Sequence, residues 1–158
     1  MVRIFTDGAC SNNPGPGGWG AVFYKDTEQE IISGHEVETT NNRMELMAIV
    51  KALSKIKREY KECRDYEIYS DSAYVVNAIN YDWITKWAIN NWETTKGEEI
   101  KNQDLWKRYL KLKSYLTLKN VKIKVIKIKG HNNNAFNDHV DEVAKAEVKN
   151  ARREIQEC

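Results

Sequence analysis

Apolar and polar residues alternate over positions 2–6, from Val2 to Thr6, which predicts a strand with one side buried. Positions 19–24 and 30–38 carry two more such runs, and the polar residues 25–29 between them favour a hairpin. From position 42 to about 60 the period changes. Leu46, Ile49, Val50, Leu53 and Ile56 recur at helical spacing, with Thr40 or Asn41 available as the N-cap. Residues 65–71 predict another strand, and Ser72 opens a short helical pattern that runs through Ile79. A tryptophan-rich helical piece covers residues 83–92. Asn102 is then placed to cap a helix with Leu105, Tyr109, Leu112 and Leu116 on one face. Over residues 121–129 lysine alternates with β-branched residues, and the phase slips at Val125 and Ile126, which suits either a bulge or a strand buried on both sides. After a polar loop from Gly130, residues 138–156 predict a final helix through Val140, Ala144, Val148, Ala151 and Ile155. Strands come first and then alternate with helices, so the fold class is mixed α/β, one sheet covered by helices.

Against this pattern four carboxylates stand out. Asp7 and Asp71 each terminate a predicted strand, and if those strands are neighbours their charges meet at one end of the sheet, where open α/β sheets take their ligands. Glu45 falls on the same helical line as Ile49, Ala52 and Ile56, the centre of the stripe that faces the core. Asp141 lies at the edge of the last helix's apolar face. Each acid alone also fits an ordinary role: a turn-former before glycine, a first-turn helix residue, a cap and a solvated helix residue. Together they cost far more. Any pair held at ~4 Å repels by ~4 kcal/mol at an effective dielectric of ~20, so cations or protons have to compensate. Hard oxygen donors without nearby cysteines or paired histidines select magnesium, with manganese as an alternative. Two ions ~3.5 to 4 Å apart suit phosphodiester hydrolysis.

Composition narrows the field further. A length of 158 residues with 41% hydrophobic content fits a single domain over residues 1–158. No apolar run approaches the ~18 residues of a membrane span, and the N-terminus lacks a signal-peptide core, so a cytoplasmic protein without a membrane partner is expected; a monomer is expected as well. Cys10, Cys63 and Cys158 are odd in number and lack CxxC spacing, which suggests neither a disulfide framework nor a zinc site. Net charge is only +2 despite 25 Lys and Arg residues, so binding to a polyanion has to come from local clusters.

The segments FTDGACSNNPGPGGWG, TTNNRMELMAIVKAL, IYSDSAYVVNAI, KNQDLW and KIKGHNNNAFNDHVDEVAKAE resemble the bacterial type 1 ribonuclease H family, in that family's order and across nearly the whole chain. The resemblance implies a ribonuclease H-like fold, a five-stranded mixed sheet whose first three strands are antiparallel, with helices packed around it. It further implies endonucleolytic cleavage of the RNA strand of an RNA/DNA hybrid, giving 5′-phosphate and 3′-hydroxyl ends. Asp7, Glu45, Asp71 and Asp141 match the family's metal-binding acids, with Asp7 the candidate to bridge two Mg²⁺ ions. His131 matches its mobile loop histidine, suited by a near-neutral pKa to moving a proton or helping product leave. Cys10, Asn13, Asn41, Asn42 and Ser72 match contacts in the hybrid's minor groove, where only RNA presents 2′-hydroxyls.

One stretch departs from the family pattern. Where bacterial members often carry a basic protrusion this chain has Ala88, Ile89, Asn90 and Asn91, and Ala73 stands where glutamine is common. Trp83, Lys86, Trp87 and Lys96 remain. Trp87 is therefore kept as a candidate contact to the DNA strand, although helical spacing makes the tryptophans packing residues first. Two other readings stay open: a catalytically silent hybrid-binding module, and a nuclease of the same fold with another substrate, such as a junction resolvase.

Overall fold

The computed structural model describes residues 1–129 and 134–157. Its five strands are β1 (Val2–Cys10), β2 (Gly15–Lys25), β3 (Glu28–Thr39), β4 (Asp65–Ser70) and β5 (Lys122–Lys127). The helices are α1 (Asn41–Glu59), α2 (Ala73–Asn80), α3 (Trp83–Ile89), α4 (Gln103–Leu118) and α5 (Ala135–Gln156). The sheet order is β3-β2-β1-β4-β5, with β1, β2 and β3 antiparallel and β4 parallel to both β1 and β5. This is the five-stranded mixed sheet that the family resemblance implied, within the α/β class that the pattern of elements predicted.

Alternation along β1 divides the core between two layers. Ile4 joins Ala21, Phe23, Ile68 and the apolar stripe of α1 on one face, which α4 backs with the fully buried Trp106 and Leu116. Phe5 faces the other way, packing with Val22 and Val140 beneath α5 and stacking on Tyr69 with ring centroids 4.6 Å apart. Two carbonyls of the edge strand β5 are covered. Lys113 Nζ donates to Ile123 O at 3.4 Å and Asn80 Nδ2 to Val125 O at 3.0 Å, which closes part of a row otherwise open to strand pairing.

Several element boundaries differ from expectation for identifiable reasons. β1 does not stop before Asp7. It continues to Cys10 because the glycine-rich start of β2 pairs with it, Asp7 opposite Gly20 and Gly8 opposite Trp19. Those glycines are ladder residues as well as turn-formers. A Cβ on Gly18 would stand 2.6 Å from Ala144 O of α5, so a bare backbone is what lets that helix sit close on β2. The β2–β3 turn shrinks to two residues, with Asp26 at φ 52 in the left-handed region. β5 pairs one-to-one with β4 and carries no bulge; Val125 and Ile126 are half-buried on opposite faces. α3 ends at Ile89, and Asn91 and Trp92 take positive φ values of 56 and 60, which carries Trp92 out of the helix. Asn102 occupies the cap position of α4 at φ 62 but makes no side-chain cap bond. Its amide instead bridges Arg43 Nη1 at 3.4 Å and Tyr74 OH at 3.3 Å. α5 begins three residues earlier than predicted, capped by Asn134, whose Oδ1 accepts from Phe136 N and Asn137 N. Among the described residues no helix is long and apolar enough to cross a membrane.

Candidate active site

Pairing between β1 and β4 ends at Phe5 and Tyr69, so Asp7 and Asp71 each lie two residues beyond the last paired position, where β1 parts from β4. α1 brings the third acid. Its N-cap is Thr40, whose hydroxyl accepts from Arg43 N at 3.2 Å, and Glu45 follows within the first turns. Arg43 anchors that end with a two-pronged bond to Asp104 of α4, at 2.9 and 2.6 Å. Carboxylate oxygens of Asp7, Glu45 and Asp71 consequently all lie within 4.8 Å of one another.

Little water reaches this cluster, since Asp7 is 5% exposed and Glu45 8%. Gly8 N–H donates to both, to Asp7 Oδ1 at 2.9 Å and to Glu45 Oε1 at 2.7 Å, and Ser70 Oγ donates to Glu45 Oε2 at 3.5 Å. One amide cannot balance the crowding. Burial pushes the Asp7 carboxyl up to about 6, with the Asp71 charge adding to the rise and a proton shared with Glu45 opposing it. Glu45 is held well above the usual carboxylate range, first by burial and then by its hydrogen bond with Asp7. Free of metal, the pair therefore retains protons at pH values where a surface acid is ionised. A donor set made only of carboxylate oxygens fits a hard divalent cation, which would displace those protons.

The fourth predicted acid is placed differently. Asp141 of α5 lines the same open pocket of about 470 Å³, near enough to raise the Asp7 carboxyl, but it stands outside the tight three-acid group. Lys145 Nζ, one turn on, holds it at 2.9 Å. Cys10, Asn41, Asn42 and Ser72 line the pocket too. Asn13 sits at its edge, with Oδ1 accepting from Asn41 N at 3.0 Å. Trp87 is not brought to the pocket. It packs edge-on against Trp106 with centroids 5.8 Å apart and borders a separate groove with Lys86 and Asn90. His131 lies outside the described residues. The structure adds Asn137, a buried pocket residue that sequence reading passed over. Its signal was its spacing, four residues before Asp141 on the same helix face.

Comparison with known proteins agrees with this geometry. The RNase H family model matches residues 1–149. The chain is 47% identical to a ribonuclease H of Caldicellulosiruptor saccharolyticus over 151 residues, 96% of this chain and 98% of that one. It is 48% identical to a ribonuclease H of Chlorobium limicola over 149 residues, covering 94% and 96% of the two chains. Among solved structures, LC9-RNase H1, a type 1 RNase H with the type 2 active-site motif, superposes with a TM-score of 0.77 at 22% identity, over 95% of this chain and 72% of that one. LC11-RNase H1, solved in complex with an RNA/DNA hybrid, gives 0.69 at 22% identity, over 96% and 99%. At such identities the structural likeness is one of fold, while the family match and the full-length sequence relatives go further: the chain belongs to the ribonuclease H family.

Proposed function

We propose that the chain is an endoribonuclease that hydrolyses the RNA strand of RNA/DNA hybrids, acting as a cytoplasmic monomer and leaving 5′-phosphate and 3′-hydroxyl ends. The observation that carries this reading is the buried convergence of Asp7, Glu45 and Asp71 at the base of a pocket edged by Asn41 and Asn42. Its relatives are named ribonuclease H, and LC11-RNase H1 binds a hybrid, which supports the same substrate here. Asp7, Glu45, Asp71 and Asp141 would hold two Mg²⁺ ions, or Mn²⁺. When bound, such ions stabilise charge on the attacking water and on the leaving oxygen of a phosphodiester.

The chain's own groups do the rest. Ser72 Oγ accepts from Val75 N at 3.3 Å as the cap of α2, which leaves its O–H free to donate to a ribose hydroxyl. Asn13 uses Oδ1 on the Asn41 backbone and keeps its amide hydrogens for a ligand. Asn41 and Asn42 are exposed in the first turn of α1, and Cys10 points its thiol at Thr39 O, 3.2 Å away. Together these groups sense 2′-hydroxyls without reading bases. His131 is assigned proton movement or product release, and Trp87 a contact to the DNA strand through the groove it borders.

Cleavage assays on a hybrid, duplex DNA and duplex RNA, each with magnesium or EDTA, test this reading. Cleavage confined to the RNA strand of the hybrid and abolished by EDTA is expected. Binding without cleavage would instead identify a silent module, and cleavage of branched or duplex DNA a nuclease of another specificity.

Loss of the basic cluster alters how binding responds to salt. α3 ends in Ala88 and Ile89, the latter 79% exposed, and is followed by Asn90 and Asn91. This end of the protein therefore neutralises few phosphates, and hybrid affinity should fall with salt less steeply than in a relative with a basic protrusion. Replacing Ala88, Asn90 and Asn91 with lysine should steepen the log–log slope by up to about 0.9 for each additional phosphate neutralised. An unchanged slope in fluorescence-anisotropy titrations from about 50 to 200 mM salt, the range over which such neutralisation is felt, would show that this segment does not approach the duplex.

A further inference from the structure

Asn137 lies in the first turn of α5 and is only 4% exposed, yet its Oδ1 accepts no hydrogen bond among the described residues. Its backbone N–H is already satisfied by Asn134 Oδ1 at 3.2 Å, so helix capping does not explain the side chain. A buried acceptor left unpaired is destabilising, and such a cost persists where a ligand completes the bond. The ligand here is constrained by its surroundings. Asn137 lines the pocket with Asp7, Glu45, Asp71 and Asp141, and it shares a helix face with Asp141. A site this rich in carboxylates favours cations, and an amide oxygen is a hard donor that repels none of them. Magnesium and manganese keep several waters when protein-bound, so an acceptor beside the acids meets donors belonging to that hydration shell.

We propose that Asn137 is a positioning residue of the metal site, its Oδ1 accepting a hydrogen bond from the hydration shell of a divalent cation held by the pocket's acids. This rests on the metal-dependent reading above and adds a neutral oxygen to its four carboxylates. Outer groups of this kind orient what the first ligands hold, and losing one typically costs about tenfold or more in metal affinity.

Calorimetric titration of Mn²⁺ into the nucleic-acid-free protein, paired with thermal unfolding in EDTA, tests the proposal. Asn137→Leu, close in shape but without the oxygen, should weaken Mn²⁺ binding about tenfold while leaving the metal-free Tm unchanged or higher, because no bond in the empty protein is lost. Asn137→Asp should retain affinity. A Leu variant that binds Mn²⁺ like wild type overturns the inference and leaves the metal site standing. So does a Leu variant whose Tm falls in EDTA, since the oxygen then had a structural partner. Wild-type protein that binds no Mn²⁺ at millimolar concentration removes the metal-dependent reading and this inference with it.

Discussion

Replacing Asp7 with Asn is expected to lower kcat on a hybrid by at least about 10³-fold at saturating magnesium while leaving the hybrid Kd nearly unchanged. Charge stabilisation by a correctly held ion is worth several kcal/mol at the transition state, and about 4 kcal/mol corresponds to that factor. The substitution keeps the size of the side chain at the junction of β1 with β4 and touches none of the groups proposed to line the minor groove. A second effect has the opposite sign. The Asp7 carboxyl sits at about 6 in the folded protein against 3.8 for an unperturbed aspartate, chiefly through burial. A carboxyl whose pKa rises on folding opposes folding as pH climbs: the cost starts near the unfolded value of 3.8 and is complete just above about 6. At neutral pH it reaches up to about 3 kcal/mol. In EDTA at pH 7.5, then, Asp7→Asn should raise Tm by several degrees. The gain should vanish only below about pH 3, where both states of the wild type bind the proton, and shrink when magnesium is added to the wild type. A variant that turns over normally, or one that unfolds earlier than wild type in EDTA at pH 7.5, would contradict the assignment of Asp7 as a crowded metal ligand.

How much of this was legible in the sequence depends on whether an interaction leaves a local trace. α1 and α4 were, because an apolar residue at every third or fourth position is the pattern a helix buried on one side imposes. Glu45 was legible for the same reason in reverse: a carboxylate on the core-facing line breaks a pattern that burial enforces. The end of β1 was not. Gly15, Gly17 and Gly18 resemble turn residues, and only tertiary contacts show why these strand positions exclude side chains: the Ser11 carbonyl crowds Gly15, Thr39 and Met44 crowd Gly17, and α5 crowds Gly18. Asn102 occupies its predicted position for an unpredicted reason, since its amide serves Arg43 and Tyr74, which are far away in sequence. Asp141 was expected to converge with the other acids, and it shares their pocket. It is not one of the three whose oxygens crowd within 4.8 Å, and it is paired with Lys145 one turn along α5. Asn137 left almost no trace. An asparagine in the first turn of a helix is commonplace, and its burial comes from packing that no local window contains.

Gly8→Ala should be severely damaging for a single-methyl change, destabilising the protein by about 3 kcal/mol or more and lowering Tm by roughly 6–12 °C, the upper range for overpacking in a chain of this size. The new Cβ would stand 2.3 Å from Glu45 N and 2.4 Å from Met44 C. Both are backbone atoms of α1, so no rotamer change relieves the clash and the helix has to move off β1. That same helix delivers Glu45, and the Gly8 amide is what ties Glu45 to Asp7, at 2.7 and 2.9 Å. Shifting α1 therefore separates the acids as it loosens the core beneath Met44 and Leu46, both fully buried. Stability and Mn²⁺ affinity should fall together, unlike the opposed changes expected for Asp7→Asn. A Gly8→Ala protein that melts and binds Mn²⁺ as wild type does would mean that α1 is not seated on β1 at this contact. The close approach that lets Glu45 join Asp7 and Asp71 requires a residue with no side chain at this position, and glycine alone provides it.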